Sequence, residues 1–131
     1  MNVIQVTCGL ILKDGKVLVA QRSKTMSLPL KWEFPGGKII RGESEEDCLK
    51  RELREELNIS INIRERLNTS IFNYGDYTVA LIPFVVDYIE GDVVLYEHCQ
   101  MGWFTRGELK DLDWALADIP ILEEFLNRSF I

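Results

Sequence analysis

Two β-branched, apolar runs open the chain, residues 3–13 and 16–22, separated by Asp14-Gly15, the residue pair that a tight two-residue turn demands. They predict an opening hairpin. Residues 23–38, SKTMSLPLKWEFPGGK, lose that pattern, and Pro29, Pro35 and Gly36-Gly37 punctuate a loop with a short extended piece around Trp32 to Phe34. The period then becomes helical. Leu49, Leu53 and Leu57 recur four apart, Ser44 with Asp47 three residues later resembles a capping box, and Asn58 suits a left-handed helix stop. Residues 59–73 and 77–89, rich in Ile, Val, Phe and Tyr, flank Tyr74-Gly75-Asp76 and predict a second long hairpin, ended by Gly91-Asp92. A strand through Trp103 and Phe104, a short helix capped at Thr105 and a last helix from Asp118 to Asn127 complete the order. This order predicts an α+β fold, a mixed sheet with helices packed on it, as a single domain over residues 1–131 without repeats or linkers.

Composition narrows the partners. The chain has 131 residues, 47% of them hydrophobic, which suffices for one core. With 15 basic and 21 acidic residues its formal net charge is −6, so no stable nucleic acid binding and no attraction to an anionic membrane are expected. A polyanionic substrate therefore needs metal ions or local basic residues. Cys8, Cys48 and Cys99 are odd in number and lack CxxC spacing, which points to buried reduced thiols rather than a disulfide framework or zinc site. No basic leader precedes the first apolar run, and no run approaches the roughly 18 apolar residues of a membrane span. A cytoplasmic location is expected.

The stretch RELREEL, residues 51–57, carries the strongest chemical signal. On a helix, Glu52, Glu55 and Glu56 fall within an arc of about 100°. Glu52 and Glu56 stand four apart as like charges, which costs an isolated helix about 0.2–0.5 kcal/mol, so the crowding is also compatible with a solvated acidic face. The neighbouring residues favour a site. A pyrophosphate linkage is so anionic that hydroxide cannot approach until cations neutralise it, and Mg²⁺, with Mn²⁺ as the alternative, binds carboxylate, water and phosphate oxygens together. Gly36 and Gly37 allow close backbone approach just ahead of the helix, and Arg51 can orient a carboxylate or hold a phosphate in bidentate fashion.

Gly37, five residues, Glu43, seven residues, Arg51-Glu52-Leu53, one residue and Glu55-Glu56 resembles the box of the Nudix hydrolases, with every charged position present. The family's final glycine is replaced by Asn58, followed by the expected apolar Ile59. The resemblance implies the Nudix fold, a mixed sheet between helices in an α/β/α sandwich. It also implies a metal site at Gly37, Glu52, Glu55 and Glu56, with Arg51 beside them. Beyond the box, WEFPGGK and Arg22 resemble the MutT-like nucleoside triphosphate pyrophosphohydrolases, in which an arginine lies near the substrate. YEHCQMGWF is similar to the loop that carries their further catalytic or metal-binding glutamate, here Glu97. Glu52, Glu97 and Arg51 are thus the expected catalytic group.

LADIPILEEFL resembles the CTP pyrophosphohydrolase branch. Asp118 within it is either a reader of the base, accepting from its amino or ring N–H groups, or the N-cap of the last helix. Phe34 either walls the base or packs in the core, and the same alternatives hold for Trp114, Phe72, Tyr74 and Tyr77. His98, the single histidine, reads as an incidental exposed loop residue. The implied activity is Mg-dependent hydrolysis of a nucleoside triphosphate to the monophosphate and pyrophosphate in nucleotide-pool sanitation. CTP, dCTP, 5-substituted dCTP and 8-oxo-dGTP are the candidate substrates. A Nudix hydrolase of a nucleotide sugar and a non-catalytic nucleotide sensor are the alternatives, and a homodimer is left open.

Overall fold

The computed structural model describes residues 3–129. Strands β1 (Val3–Lys13) and β2 (Lys16–Gln21) form the opening hairpin, with Leu12 opposite Val17 and Lys13 opposite Lys16. Asp14 (φ 52°) and Gly15 (φ 76°) are both left-handed, the conformation in which a two-residue turn matches strand twist. Then follow β3 (Trp32–Glu33), β4 (Gly36–Lys38), α1 (Glu45–Leu57), β5 (Ser60–Arg66), β6 (Ser70–Asn73) and β7 (Thr78–Glu90). The chain ends on β8 (Gln100–Phe104), α2 (Arg106–Leu109), a 3₁₀ turn at Leu116–Asp118 and α3 (Ile119–Leu126). The strands order as β3-β2-β1-β7-β5, with β4 on β1, β6 on β7 and β8 on β2.

Three features depart from the sequence pattern. The run 59–73 is two strands, because its partner β7 contains Pro83, which has no N–H to donate. Leu67 turns inward there and its N–H donates to Pro83 O at 2.9 Å, before pairing resumes at Ser70. Gly36–Lys38, expected as loop, is β4, antiparallel to β1 with Cys8 opposite Gly36 and Thr7 opposite Gly37. Finally, β1 and β7 run parallel from Val3 opposite Thr78 to Leu12 opposite Asp87, a pairing no local period encodes. The sheet is therefore mixed, as expected.

Alternating side chains of the central strands feed two cores. Leu10, Val17, Val19 and Val85 meet Ile121, Leu122 and Phe125 of α3 on one face. Ile11, Leu18, Phe84 and Val86 meet Leu49, Leu53 and Leu57 of α1 on the other. Helix α1 begins where Ser44 accepts from Asp47 N at 3.1 Å, and stops at Asn58 (φ 61°, ψ 37°), so the asparagine supplies the left-handed residue. Thr105 and Glu108 form a full capping box on α2. Cys8 and Cys48 are buried, whereas Cys99, expected buried, is exposed at the edge of the loop before β8, its Sγ directed to the Gln21 side chain. No helix of the described residues is long and apolar enough to cross a membrane.

Candidate active site

The site forms where β4 and the flank of α1 meet. A Cβ on Gly36 would lie 1.8 Å from Thr7 O, and one on Gly37 would lie 2.2 Å from the Glu52 carboxylate carbon. Backbone excludes any side chain at Gly36, whereas one at Gly37 would displace the Glu52 carboxylate. The glycines thus let the strand lie against β1 while the helix carboxylate rests on its backbone.

Arg51 answers why the helix tolerates its carboxylates. Its Nε and Nη2 donate to the two oxygens of Glu43 at 2.7 and 2.9 Å, and its Nη1 donates to Glu52 and Glu55, each at 2.8 Å. A further bond from Nη2 reaches Lys38 O at 3.1 Å and ties the cluster to β4. The paired guanidinium holds Glu43 down to about 2, chiefly through their hydrogen bonds. Glu55 stands at the rim, its side chain 51% exposed. Glu56 is different: its Oε2 is the buried side-chain oxygen without a partner among the described residues. Burial, then the charges of Glu97 and Glu52, raise its pKa.

Glu52, Glu56, Glu97 and Gly37 line one hollow of about 420 Å³, together with Arg22, Lys38 and Asp118. A second, of about 360 Å³, has apolar walls from Val79, Leu81 and Ala117, edged by Tyr74 and Tyr77. The two share Val6, Arg22, Glu33, Lys38, Leu81 and Asp118, so they are one continuous depression. Phe34 is buried with its ring 4.6 Å from Trp114, borders the first hollow, and its N–H donates to Asp118 Oδ2 at 2.9 Å. Asp118 makes no capping bond to α3, which removes the cap alternative. Burial, followed by the Glu33 charge, pushes its carboxyl well above the usual range, against smaller opposing effects of the Phe34 N–H and Arg22. Burial therefore favours the protonated form of Asp118, which would add a donor to the acceptor that the sequence suggests.

Three residues of the depression were not marked by sequence pattern as parts of a site. Glu33 accepts from Arg22 Nη1 at 3.0 and 3.2 Å and from His98 Nε2 at 2.7 Å. His98 is consequently enclosed, its side chain 9% exposed, rather than an exposed loop residue. Lys38 lies on the wall common to both hollows. A signal for Glu33 exists in hindsight: a charge between Trp32 and Phe34 on a short strand must face something polar.

No three of the described His, Cys, Asp and Glu side chains already enclose an ion, because Glu52 and Glu55 are turned toward Arg51. The donor set nonetheless fits a hard divalent cation. Glu56 Oε2 is buried and has no partner among the described residues, and Glu97 and Glu52 stand close enough to raise its pKa, so an ion there would meet oxygen donors whose charges repel one another.

The NUDIX domain model matches residues 1–125. The chain is 35% identical over 126 residues to the CTP pyrophosphohydrolase of Escherichia coli, spanning 96% of this chain and 93% of that one. It is 37% identical over 130 residues to the putative 8-oxo-dGTP diphosphatase 2 of Mycobacterium tuberculosis, spanning 95% and 91%. Among solved structures, that of the E. coli ORF135 protein superposes with a TM-score of 0.85 at 35% identity, covering 97% of this chain and 91% of that one.

Proposed function

Because the chain belongs to the NUDIX family and is one of its pyrophosphohydrolases, we propose that it hydrolyses a (deoxy)nucleoside triphosphate to the monophosphate and pyrophosphate. The favoured substrates are CTP, dCTP, its 5-substituted forms and 8-oxo-dGTP, in line with the names of the two relatives. The continuity of the two hollows carries this reading. A base fits between Tyr74, Tyr77 and the apolar wall, while the phosphates run past Arg22 and Lys38 to the carboxylates.

Glu52, Glu56, Glu97 and the Gly37 backbone would hold Mg²⁺, with Glu55 joining if it exchanges Arg51 for the ion. When bound, the ion neutralises phosphate charge and lowers the pKa of an attacking water. Arg51 holds Glu52 in place through one guanidinium nitrogen. Glu52 and Glu97 flank the hollow as the acceptors for the water's proton. At the other end, Glu33 accepts from an exocyclic amino group. Asp118, its Oδ2 already taken by Phe34 N–H, turns its other oxygen to the base, as a donor to a ring nitrogen or carbonyl when protonated and as an acceptor when ionised.

Hydrolysis in ¹⁸O-labelled water with Mg²⁺, over a panel of CTP, dCTP, 8-oxo-dGTP, UTP and nucleotide sugars, tests the proposal. Attack at the β-phosphorus places the label in pyrophosphate and leaves the monophosphate unlabelled. Orthophosphate as first product, or turnover confined to nucleotide sugars, would overturn it.

A further inference from the structure

Residues 91–99, which carry Glu97, contain neither helix nor strand. The segment is held near its start by Val94 N donating to Leu57 O at 3.0 Å, and at its end by Cys99 N donating to Gln21 O at 3.1 Å. No hydrogen bond or ion pair to a described residue fixes the Glu97 carboxylate itself. The next side chain in sequence is fixed firmly. His98 Nε2 lies 2.7 Å from Glu33 Oε2, across 65 residues of chain, and a carboxylate oxygen there can be met only by a ring N–H. Glu33 is oriented in turn by both contacts from Arg22, whose Nη2 donates to Ser27 Oγ at 2.9 Å.

We propose that His98 is a positioning residue for the hydrolysis: through its bond to Glu33 it sets the place of Glu97 over the carboxylate hollow. The inference rests on the nucleotide-hydrolase reading above. Its basis is the continuous row Ser27, Arg22, Glu33, His98, which borders the junction of the two hollows and ends one residue from Glu97. The row makes the loop's position depend on the same Glu33 and Arg22 that face substrate. Loss of the His98 anchor leaves Glu97 on the short stretch between Leu95, packed on the α1 core, and Cys99, held through its backbone.

The test compares His98→Ala, His98→Gln, Glu97→Gln and the His98→Ala/Glu97→Gln double variant, with kcat, KM, melting temperature and amide hydrogen exchange across residues 94–99. Misplacement of a reacting group by an ångström costs up to about a hundredfold, so His98→Ala is expected to lose about 10- to 100-fold in kcat, a larger change than the rise in KM that freeing Glu33 brings. His98→Gln keeps an N–H donor at a similar reach and restores most of that rate. The double variant is no slower than Glu97→Gln, since His98 acts through Glu97. Exchange across the loop speeds up in His98→Ala and stays as in wild type in Glu97→Gln. Multiplying losses in the double variant, unchanged exchange in His98→Ala, or failure of His98→Gln to recover would overturn the positioning role. The exchange result needs no turnover, so a protein that hydrolyses no nucleotide yet shows the faster loop would reject the function while retaining the clamp. Full turnover in Glu97→Gln would remove Glu97 from the reaction, and His98 with it.

Discussion

Glu43 and Glu56 belong to one carboxylate cluster and respond to pH in opposite directions. Glu43 is held down to about 2 by Arg51, so its contribution to stability is present above the unfolded value and is lost as pH falls toward 2. Glu56 is raised by burial and by Glu97 and Glu52, so its ionised form costs stability, and the cost shrinks as pH falls through its folded pKa and is gone below the unfolded value. Without divalent metal, Glu43→Gln should melt below wild type at neutral pH, with the gap closing as pH falls toward 2. Glu56→Gln should melt above wild type at neutral pH and lose that advantage on acidification. Thermal unfolding across pH measures both. Millimolar Mg²⁺ should raise the melting temperature of wild type more than that of Glu56→Gln, and the same substitution should lower kcat by about 10²–10³-fold. Asp118 makes a third case. Below its raised pKa the protonated carboxyl presents a donor and an acceptor, so in that range Asp118→Asn should retain the base preference of wild type, while Asp118→Ala loses it. As pH rises through the folded pKa of Asp118, kcat/KM of wild type should fall and that of Asp118→Asn should not. A fall of equal size in both would return Asp118 to a purely structural part.

At the scale of elements, α1 was the most legible piece of the chain. Ser44, the Leu49, Leu53, Leu57 seam and Asn58 each act locally, and the structure uses all of them. Asn58 yields a prediction of its own. At φ 61° an alanine pays the left-handed penalty of about 1–2 kcal/mol, so Asn58→Ala should destabilise by that order. Asn58→Gly should hold stability close to wild type, the relief of backbone strain offsetting the bond from Asn58 Nδ2 to Asp92 O at 3.3 Å. Chemical denaturation of the three proteins decides it. Elements fixed by distant partners were hidden. β4 exists because Thr7 and Cys8 of β1 accept Gly37 and Gly36 beside them, and the 59–73 run divides because of Pro83 on another strand. His98 was misread for the same reason. Its partner Glu33 stands 65 residues away, and exposure cannot be judged from a loop's sequence alone.

Across the whole molecule, charge sets how substrate arrives. The formal charge of −6 opposes a polyanion, although Arg22 and Lys38 line its seat. Screening weakens that long-range repulsion, the Debye length falling from about 30 Å at 0.01 M to about 8 Å at 0.15 M salt. With metal saturating, kcat/KM for a nucleoside triphosphate should therefore rise with ionic strength over this range; a steady fall would mean that local basic residues dominate the approach. The layered architecture was legible from alternating apolar runs, yet its central pairing was not. β1 meets β7 in parallel over Val3 to Leu12, and that contact depends on tertiary topology rather than on either strand's own pattern.

The same pairing bears on the order in which a nascent chain can mature. β1 and β2 can close as a hairpin as soon as both are made, whereas the other flank of β1 waits for Thr78–Asp87, and the base wall waits longer still for Asp118. The carboxylate box is synthesised well before either. During translation, then, the ribosome displays the carboxylate helix while its sheet still has an open hydrophobic edge, the condition that recruits chaperones or seeds association. Completion of β7 closes that edge, and arrival of Asp118 at Phe34 N–H completes the wall common to the two hollows.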